Sequence, residues 1–514
     1  MADMSNRASM AHLAHDHIIT ILHLLPMESI ICFSMTCRRF KSIASSDVLW
    51  EGICRRDWGN SYVDGLLAAR DKGLPWKNIY QQVYQLGFVS CIKLRGQDGI
   101  FPRPRASHSF NFISNCLVLF GGGCEGGWFH TLLSFFLSFL TRCCLAVVIL
   151  ASISTPIHST SYPTAWCCLE EDAKEEYAKE NKKNSNLEKS RRHLDDTWVG
   201  CTGNEIKKML RWQQISSGTP SGRFGQTCTV VGDSLVLFGG INDHGVRQND
   251  AWVGHVVHDE SLGIRLSWRL LDVGSIMPPP RGAHAGCNVG DKRMVIHGGI
   301  GPDGLRLGDT WLLDLSEGMR SARWHEIETP VSPPARSGHT LTWIAGAHVI
   351  LFGGRGTGYE VLNDLWLFDM GGEIPEWVEL HSNSSNVPNS MPLPRVGHSA
   401  TLILGGRVLI YGGEDSYRHR KDDFWVLDPS AIPTIRVRSQ TPYPKMSSGK
   451  KMWRRLKVSG RQPSCRSFHR ACVDPSGRLV YIFGGMVDGV VQPVESSGLR
   501  FDGELYLVEL VLQL

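Results

Sequence analysis

Short apolar runs recur along this chain, each ending in two glycines and followed by a polar loop, an Asp and an aromatic residue. The phrase is clearest between Val349 and Met370, where VILF meets Gly353-Gly354, and Asp364 and Trp366 follow. Other copies carry Gly121-Gly122, Gly239-Gly240, Gly298-Gly299, Gly412-Gly413 and Gly484-Gly485. Their downstream pairs are Asp196/Trp198, Asp250/Trp252, Asp309/Trp311, Asp423/Trp425 and, weaker, Asp502/Tyr506. A further aromatic usually follows: Trp212, Trp268, Trp324, Trp377 and Trp453. Upstream of each Gly pair stands an Arg, and in most copies a His three residues later: Arg105/His108, Arg281/His284, Arg336/His339, Arg395/His398 and Arg466/His469. The second copy has Arg223 and Gln226. A period of roughly 50–60 residues with four short apolar strands per copy predicts a ring of four-stranded sheets, a β-propeller. One copy alone buries one sheet face. Neighbours packed around a ring bury the other and remove free edges.

The pattern before the repeats is different. Ile18, Ile19, Ile21, Leu22 and Leu25 form a helical stripe that Pro26 stops, and Glu28–Phe33 opens a second helix. Cys37, Phe40 and Ile43 continue an apolar face, and Leu49-Trp50 and Trp58 close the segment. A segment this short makes a marginal core by itself, so some of its apolar surface is expected to need a partner. Tyr62–Gln85, with Trp76 and Tyr80, reads as a helical connector.

Composition changes little. The chain has 514 residues, 42% of them hydrophobic, enough for two domains with cores. A net charge of +4 is too small to imply nucleic acid or a membrane surface. None of the 15 cysteines forms a CxxC pair, and they do not follow the repeat. They read as reduced, mostly buried thiols of an intracellular protein, cytoplasmic or nuclear. MADMSNRASM shows no secretory signal, and residues 1–11 are expected to be disordered.

The six copies in register resemble the kelch repeat. The run from Ile21 through Pro26, the Cys37–Phe40 stretch and Asp47–Trp50 resemble an F-box. That family usually opens with Leu-Pro, where this chain has Leu13-Ala14. Together they imply a mainly β fold, a six-bladed kelch β-propeller preceded by a small α-helical F-box domain, a pairing familiar from plants. The expected boundaries are 12–60 for the F-box, 61–86 for the connector and 87–514 for the propeller. The resemblance implies a substrate-recognition subunit of a ubiquitin ligase. It would bind a Skp-type adaptor and, through it, cullin and RING subunits. The matching positions for adaptor contact are Leu25, Pro26, Ile30, Ile31, Cys37, Phe40, Leu49 and Trp50. A helical cap packed on the propeller, a kelch scaffold with no ligase role and a propeller enzyme remain as alternatives.

Phe88–Leu94 reads as a strand ahead of the first Arg/His pair. In later copies that slot holds the last strand of the preceding blade, so it is expected to complete blade 6. The spacing from Gly121 to Gly239 is about twice the others, yet only one copy lies between them. Removing Trp128–Arg191 restores the repeat phrase, so this segment reads as an insert in blade 1. Trp128–Ser154 has the hydropathy of a membrane helix. A span there would separate strands that must pair, and Arg142 adds cost. Glu170–Arg192 alternates Glu and Lys as a solvated segment. The Phe/Leu/Ser bias of the first half is what a pyrimidine-rich stretch encodes, which fits translated intron or an aberrant gene product. Transcript sequencing tests that reading.

No phosphate loop, G-x-S-x-G elbow or HExxH motif is present, and no cofactor is expected. The five histidines follow the blades, which points to a structural role within or between them, not to one metal cluster. The recurring Asp residues are expected to accept from turn amides. Lys450, Lys451, Arg454, Arg455 and Lys457 form a basic cluster, read as a nuclear signal, an anion site or the solvated end of a blade-5 loop. The loops leaving the Gly pairs share one face and hold the candidate target-binding residues: Arg247, Arg306, Arg355, Tyr359, Tyr417, Arg418 and His419. Asn242, Asp243, His244, Asp303 and the Met486–Arg500 loop accompany them. The target protein itself is not named by any residue pattern.

Overall fold

The computed structural model describes residues 13–69, 74–96, 99–124, 194–201, 209–216, 218–259, 263–380, 391–432, 452–488 and 499–511. The expectations for 1–11, for the 128–191 insert, for Lys450 and Lys451, and for most of the loop after Met486 lie outside these residues.

Helices come first: α1 His15–His23, α2 Met27–Ser34, α3 Arg38–Ile43, α4 Asp47–Trp58, α5 Asn60–Ala69 and α6 Trp76–Tyr84. Pro26 stands at the N-cap of α2, where its missing N–H costs nothing. The inward faces of α1 to α4 close over Ile18, Leu22, Ile30, Ile43, Leu49, Trp50 and Ile53. Trp50 is held by its indole N–H donating to the Ala44 carbonyl at 2.7 Å. This core continues through Trp76, Val83 and Leu86 into Leu404, Tyr411 and Val480 of the sheets behind. The α6 end is tied down by polar contacts as well. Arg407 donates to the Val83 carbonyl and, at 3.0 Å, to that of Tyr84, and Arg454 donates to Leu86 at 2.9 Å. The helices and the sheets therefore share one hydrophobic core.

Six blades follow, each a four-stranded antiparallel sheet. Blade 4 is typical: Thr340–Ala345 innermost, then His348–Gly356, Val361–Asp369 and Glu376–Glu379. Each innermost strand packs against those of its two neighbours, and Arg470–Val473 of blade 6 packs against Ser109–Ile113 of blade 1. In blade 6, Leu505–Leu510 pairs antiparallel with the strand Phe88–Gly96, from Val89 opposite Leu510 to Leu94 opposite Leu505. The same strand runs parallel to Lys457–Gly460 along Phe88–Cys91 and meets the outer strand of blade 1 at Arg95–Met209. In blade 1, Cys116–Phe120 pairs with Thr197–Cys201, from Phe120 opposite Thr197 to Cys116 opposite Cys201.

Aromatic residues stitch blade to blade. Trp324 packs on Phe238 with ring centroids 4.8 Å apart, Trp453 on Phe352 at 5.2 Å, and Trp212 on Phe483 of blade 6 at 6.4 Å. The Gly pairs sit at the same seams. Gly353 and Gly354 have φ of +63° and +101°, a region other residues avoid. A Cβ on Gly353 would lie 2.8 Å from the Arg395 carbonyl oxygen of the next blade. The Gly354 N–H donates to that same carbonyl at 2.9 Å. Both glycines are therefore fixed by backbone conformation, Gly353 also by the closeness of the next blade and Gly354 by Ser337 and His339 of its own. Among the described residues, no helix is long and apolar enough to cross a membrane.

Candidate functional site

The most repeated polar residues are structural. Arg336 is buried and donates to the Pro334 carbonyl at 2.9 Å and the Gly353 carbonyl at 3.1 Å. Its other donors meet both carboxylate oxygens of Asp364, at 2.6 and 2.7 Å. The same pairing joins Arg105 to Asp196, Arg223 to Asp250, Arg281 to Asp309 and Arg395 to Asp423, and Arg466 is ion-paired to Asp502. The expectation that these Asp residues serve turn amides is thus corrected. They neutralise buried arginines, and the five that precede a Trp also accept from its indole, as Asp364 does from Trp366 at 2.8 Å, whereas Asp502 accepts from the Glu504 N–H at 2.9 Å as expected. Burial pushes the Asp309 carboxyl up, but the Arg281 guanidinium and the Trp311 N–H outweigh it and hold it below its ordinary range.

The histidines lie between blades. His284 meets Thr227 at 2.8 Å, His398 meets Thr340 at 2.9 Å and His469 meets Ser399 at 2.9 Å, each across a seam. His339 meets His297 of blade 3 at 3.1 Å. Burial holds His108, His284, His339 and His469 well below the ordinary imidazole value, and lowers His297 and His398 to about 3. In blade 2 Gln226 takes the slot and donates to the Phe120 carbonyl of blade 1 at 3.2 Å. Among the described residues, no group of three or more His, Cys, Asp or Glu side chains could hold a metal ion.

The loops after the Gly pairs bring some of the candidate target-binding residues together. Arg306 of blade 3 lies over the Tyr359 ring of blade 4, 4.5 Å from its centroid, and donates to Ser337 at 3.2 Å. Arg355 of blade 4 faces Glu414 of blade 5 at 3.6 Å. Tyr417, Arg418 and His419 form an exposed turn held by Asp415, whose Oδ1 accepts from the Tyr417 and His419 N–H groups at 2.9 Å each. Arg247 stands apart in blade 2, donating to the Gly245 carbonyl of its own turn at 2.7 Å. Sequence reasoning missed Glu414, Arg420 and Asp488. Arg420 lies 3.6 Å from Glu414 and is paired with Asp488, and Ser467 donates to Glu414 at 2.7 Å. A signal existed. The residue directly after each Gly pair is Gly123, Ile241, Ile300, Arg355, Glu414 or Met486, so charges occur only in blades 4 and 5 and with opposite sign. The basic cluster is solvated as expected in three of its members, but their placement in a loop is corrected. Arg454 and Arg455 belong to the outer strand Trp453–Arg455 of blade 5, and Lys457 lies over the Phe88 ring at 5.5 Å.

The helical module divides its candidate residues. Ile30, Leu49 and Trp50 are buried in its own core, because the inward half of the apolar stripe is what holds α1 to α4 together. Leu25 and Phe40 are half-buried, Phe40 stacking on Phe33 at 4.2 Å. Pro26, Ile31 and Cys37 are exposed, and Cys37 caps α3, its sulfur accepting from the Phe40 N–H at 3.4 Å. Three further apolar side chains stand outward: Leu24 is 73% exposed, Met35 80% and Val48 73%.

Comparison with known proteins agrees with both halves. An F-box-like family profile matches residues 15–56. A profile described as the KLHDC2/KLHL20/DRC7 Kelch-repeats domain matches residues 187–329 and 225–432. An F-box/kelch-repeat protein of Arabidopsis thaliana is 48% identical over 512 residues, which cover 98% of this chain and 92% of that protein. Adagio protein 3 of the same plant is 26% identical over 92% of this chain, but the match covers only 61% of that longer protein. The solved structure of YjhT aligns with a TM-score of 0.46 at 13% identity, over 79% of this chain and 95% of that one. An F-box-like module ahead of a six-bladed kelch propeller, with this identity along nearly the whole chain, places the protein in the F-box/kelch-repeat family.

Proposed function

We propose that the protein is the target-selecting subunit of a Skp–cullin–RING ubiquitin ligase. Its F-box helices take the Skp-type adaptor, and the Gly-pair face of the propeller takes the target protein. The chain performs no bond chemistry in this reading. The observation that carries it is the exposure of four apolar side chains on the helical module, Leu24, Ile31, Met35 and Val48. The module's core is already closed without these residues, so their exposure is explained by a partner surface. The shared core that runs from Trp50 through Val83 to Tyr411 supports the rest. It fixes the distance between the two binding faces, and a held target meets the ubiquitin-charged enzyme at high effective concentration.

Affinity capture of the full chain tests this. Met35→Asp and Val48→Asp are expected to abolish co-purification of a Skp-type adaptor while thermal stability stays within a few degrees of the parent. Capture of the adaptor by both variants at the parent level would overturn the reading in favour of a kelch scaffold without a ligase role.

A further inference from the structure

The propeller holds two populations of arginine. The repeat arginines spend their donors inside the blade, as Arg336 does on two carbonyls and both Asp364 oxygens. On the rim of blades 3 to 5 the pattern reverses. Arg355 has Glu414 at 3.6 Å as its ion-pair partner, and its Nε is buried without a hydrogen bond. The Nε of Arg420 is buried and unpartnered too, although its terminal nitrogens meet Asp488 and approach Glu414. Arg418 is exposed, in a turn whose backbone is fixed by its own N–H donating to the Asp415 carbonyl at 3.0 Å. Arg306 lies on Tyr359. Four guanidinium groups thus gather on this rim, where Arg355 and Arg420 share Glu414, Asp488 pairs with Arg420, and one of the Glu414 oxygens already accepts from Ser467. Burial lowers the Arg355 pKa against the pull of Glu414, and Arg306 and Arg418 add to the lowering, so these cations lie within electrostatic reach of one another.

We propose that this rim reads an anion: the target segment that docks here presents one negatively charged group, a carboxylate or a phosphate, between Arg355, Arg418 and Arg420. Guanidinium groups are suited to such groups because their planar donors match two oxygens at once. An incoming anion meets the exposed Arg418 and the partly exposed Arg355, whose ion-pair partner Glu414 is shared with Arg420. The inference rests on the target-binding role of this face and narrows it to a class of ligand.

The test uses the full chain co-purified with a Skp-type adaptor. Short degenerate peptide pools are immobilised, identical except at one fixed position: Glu, phosphoserine or Gln, each with an amidated C-terminus, and a fourth Gln pool with a free C-terminal carboxylate. At least one anionic pool is expected to retain about tenfold more protein than the amidated Gln pool, with retention falling as salt rises. The pool that does so identifies the source of the charge. Arg355→Glu and Arg418→Glu are each expected to reduce retention to the Gln level. Arg418 is exposed in a turn that its backbone holds, so that variant keeps the fold. Equal retention on all pools, retention on none, or retention unchanged in both variants overturns the anion site. Adaptor co-purification is read in the same samples. Its loss with anionic retention intact would remove the ligase reading and leave the site standing.

Discussion

The backbone N–H of Ser107 donates to the carbonyl of Phe468 at 2.8 Å, joining the first repeat to the last. It is one bond of a closed circuit. Phe468 donates to Gly397, Gly397 to Gly338, Gly338 to Ala283, Ala283 to Gly225 and Gly225 to Ser107, at 2.6 to 2.9 Å. Each member lies one residue before the His or Gln slot of its blade, and each has positive φ, from +55° at Ala283 to +69° at Gly397. Closure is therefore achieved through the innermost turns as well as through the outer strand Phe88–Gly96.

Ser107→Pro removes one donor of this circuit and demands negative φ. It is expected to cost about 3 kcal/mol or more, read as a lower urea midpoint. Ser107→Gly reproduces the residue found in blades 2, 4 and 5 and is expected to be neutral or stabilising by about 1 kcal/mol. Equal behaviour of the two variants would show that the circuit contributes nothing.

The Arg336–Asp364 pair gives a second expectation. Arg336 is fully buried, and removing Asp364 leaves its charge without an anion. Asp364→Ala is expected to destabilise by about 3–5 kcal/mol. Arg336→Lys keeps the charge but cannot reach two carbonyls and two carboxylate oxygens together, so it too is expected to destabilise. Arg306→Ala on the rim, which loses a stacking contact and one hydrogen bond but leaves no buried charge, is the comparison, expected to cost about 1 kcal/mol. Denaturant unfolding of the three variants checks the order.

Much of this fold was legible because a repeat prints the same physics six times. The Gly pairs, the Arg/His spacing and the Asp-x-Trp phrase each recur with the blade. What the period could not reveal is which partner each polar residue takes. Asp364 sits by a loop in sequence, but its partner Arg336 is 28 residues away and arrives only when the blade folds. The helical stripe is ambiguous in a similar way. Apolar spacing marks Leu49 and Val48 as neighbours in the chain, and only packing buries one and exposes the other. Glu414 escapes a search for exposed loop tips such as Tyr417, because the charge opposite Arg355 lies deeper, next to the glycines.

Acid is expected to unfold the propeller through its histidines before its carboxylates. His108, His284, His297, His339, His398 and His469 are held neutral by burial, with folded values below the ordinary 6.5. The unfolded chain then binds more protons below pH ~6.5, so stability is full above that value and is lost as pH falls towards the folded values. Each histidine contributes a loss of about 1.4 kcal/mol per pH unit in that window. Carboxylates such as Asp309, lowered below 3.8 in the fold, add their loss only at lower pH. The melting temperature should therefore drop between pH 6.5 and 5, and His284→Gln, which copies the Gln226 slot of blade 2, should lessen the slope. A flat profile over that range would refute the assignment.

The helical module should separate core from surface. Leu49 is fully buried and Val48 is exposed. Leu49→Ala is expected to cost about 2–5 kcal/mol through lost burial and a cavity, whereas Val48→Ala should change stability by about 0.5 kcal/mol or less. The core continues into blades 5 and 6, so the Leu49→Ala loss should register in the melting of the whole protein. A melt in which the propeller signal is unmoved would mean that the helices and the blades unfold independently.

The interrupted blade gives the last expectation. Phe120 is paired with Thr197, so two neighbouring strands are joined in register although 76 residues separate them in the chain. In blades 2 to 5 a short loop makes this connection. Deleting residues 128–191 leaves 12 residues to bridge the pair. The cost of closing a loop rises with the logarithm of its length, so the shortened hairpin should be more stable by about 2 kcal/mol. The strands Cys116–Phe120 and Thr197–Cys201, their register and the Arg105–Asp196 pair lie outside the deleted segment. The urea midpoint should therefore rise while the slope of unfolding stays nearly unchanged. A lower midpoint would mean that 128–191 contributes contacts to the folded blade and belongs to the protein's architecture.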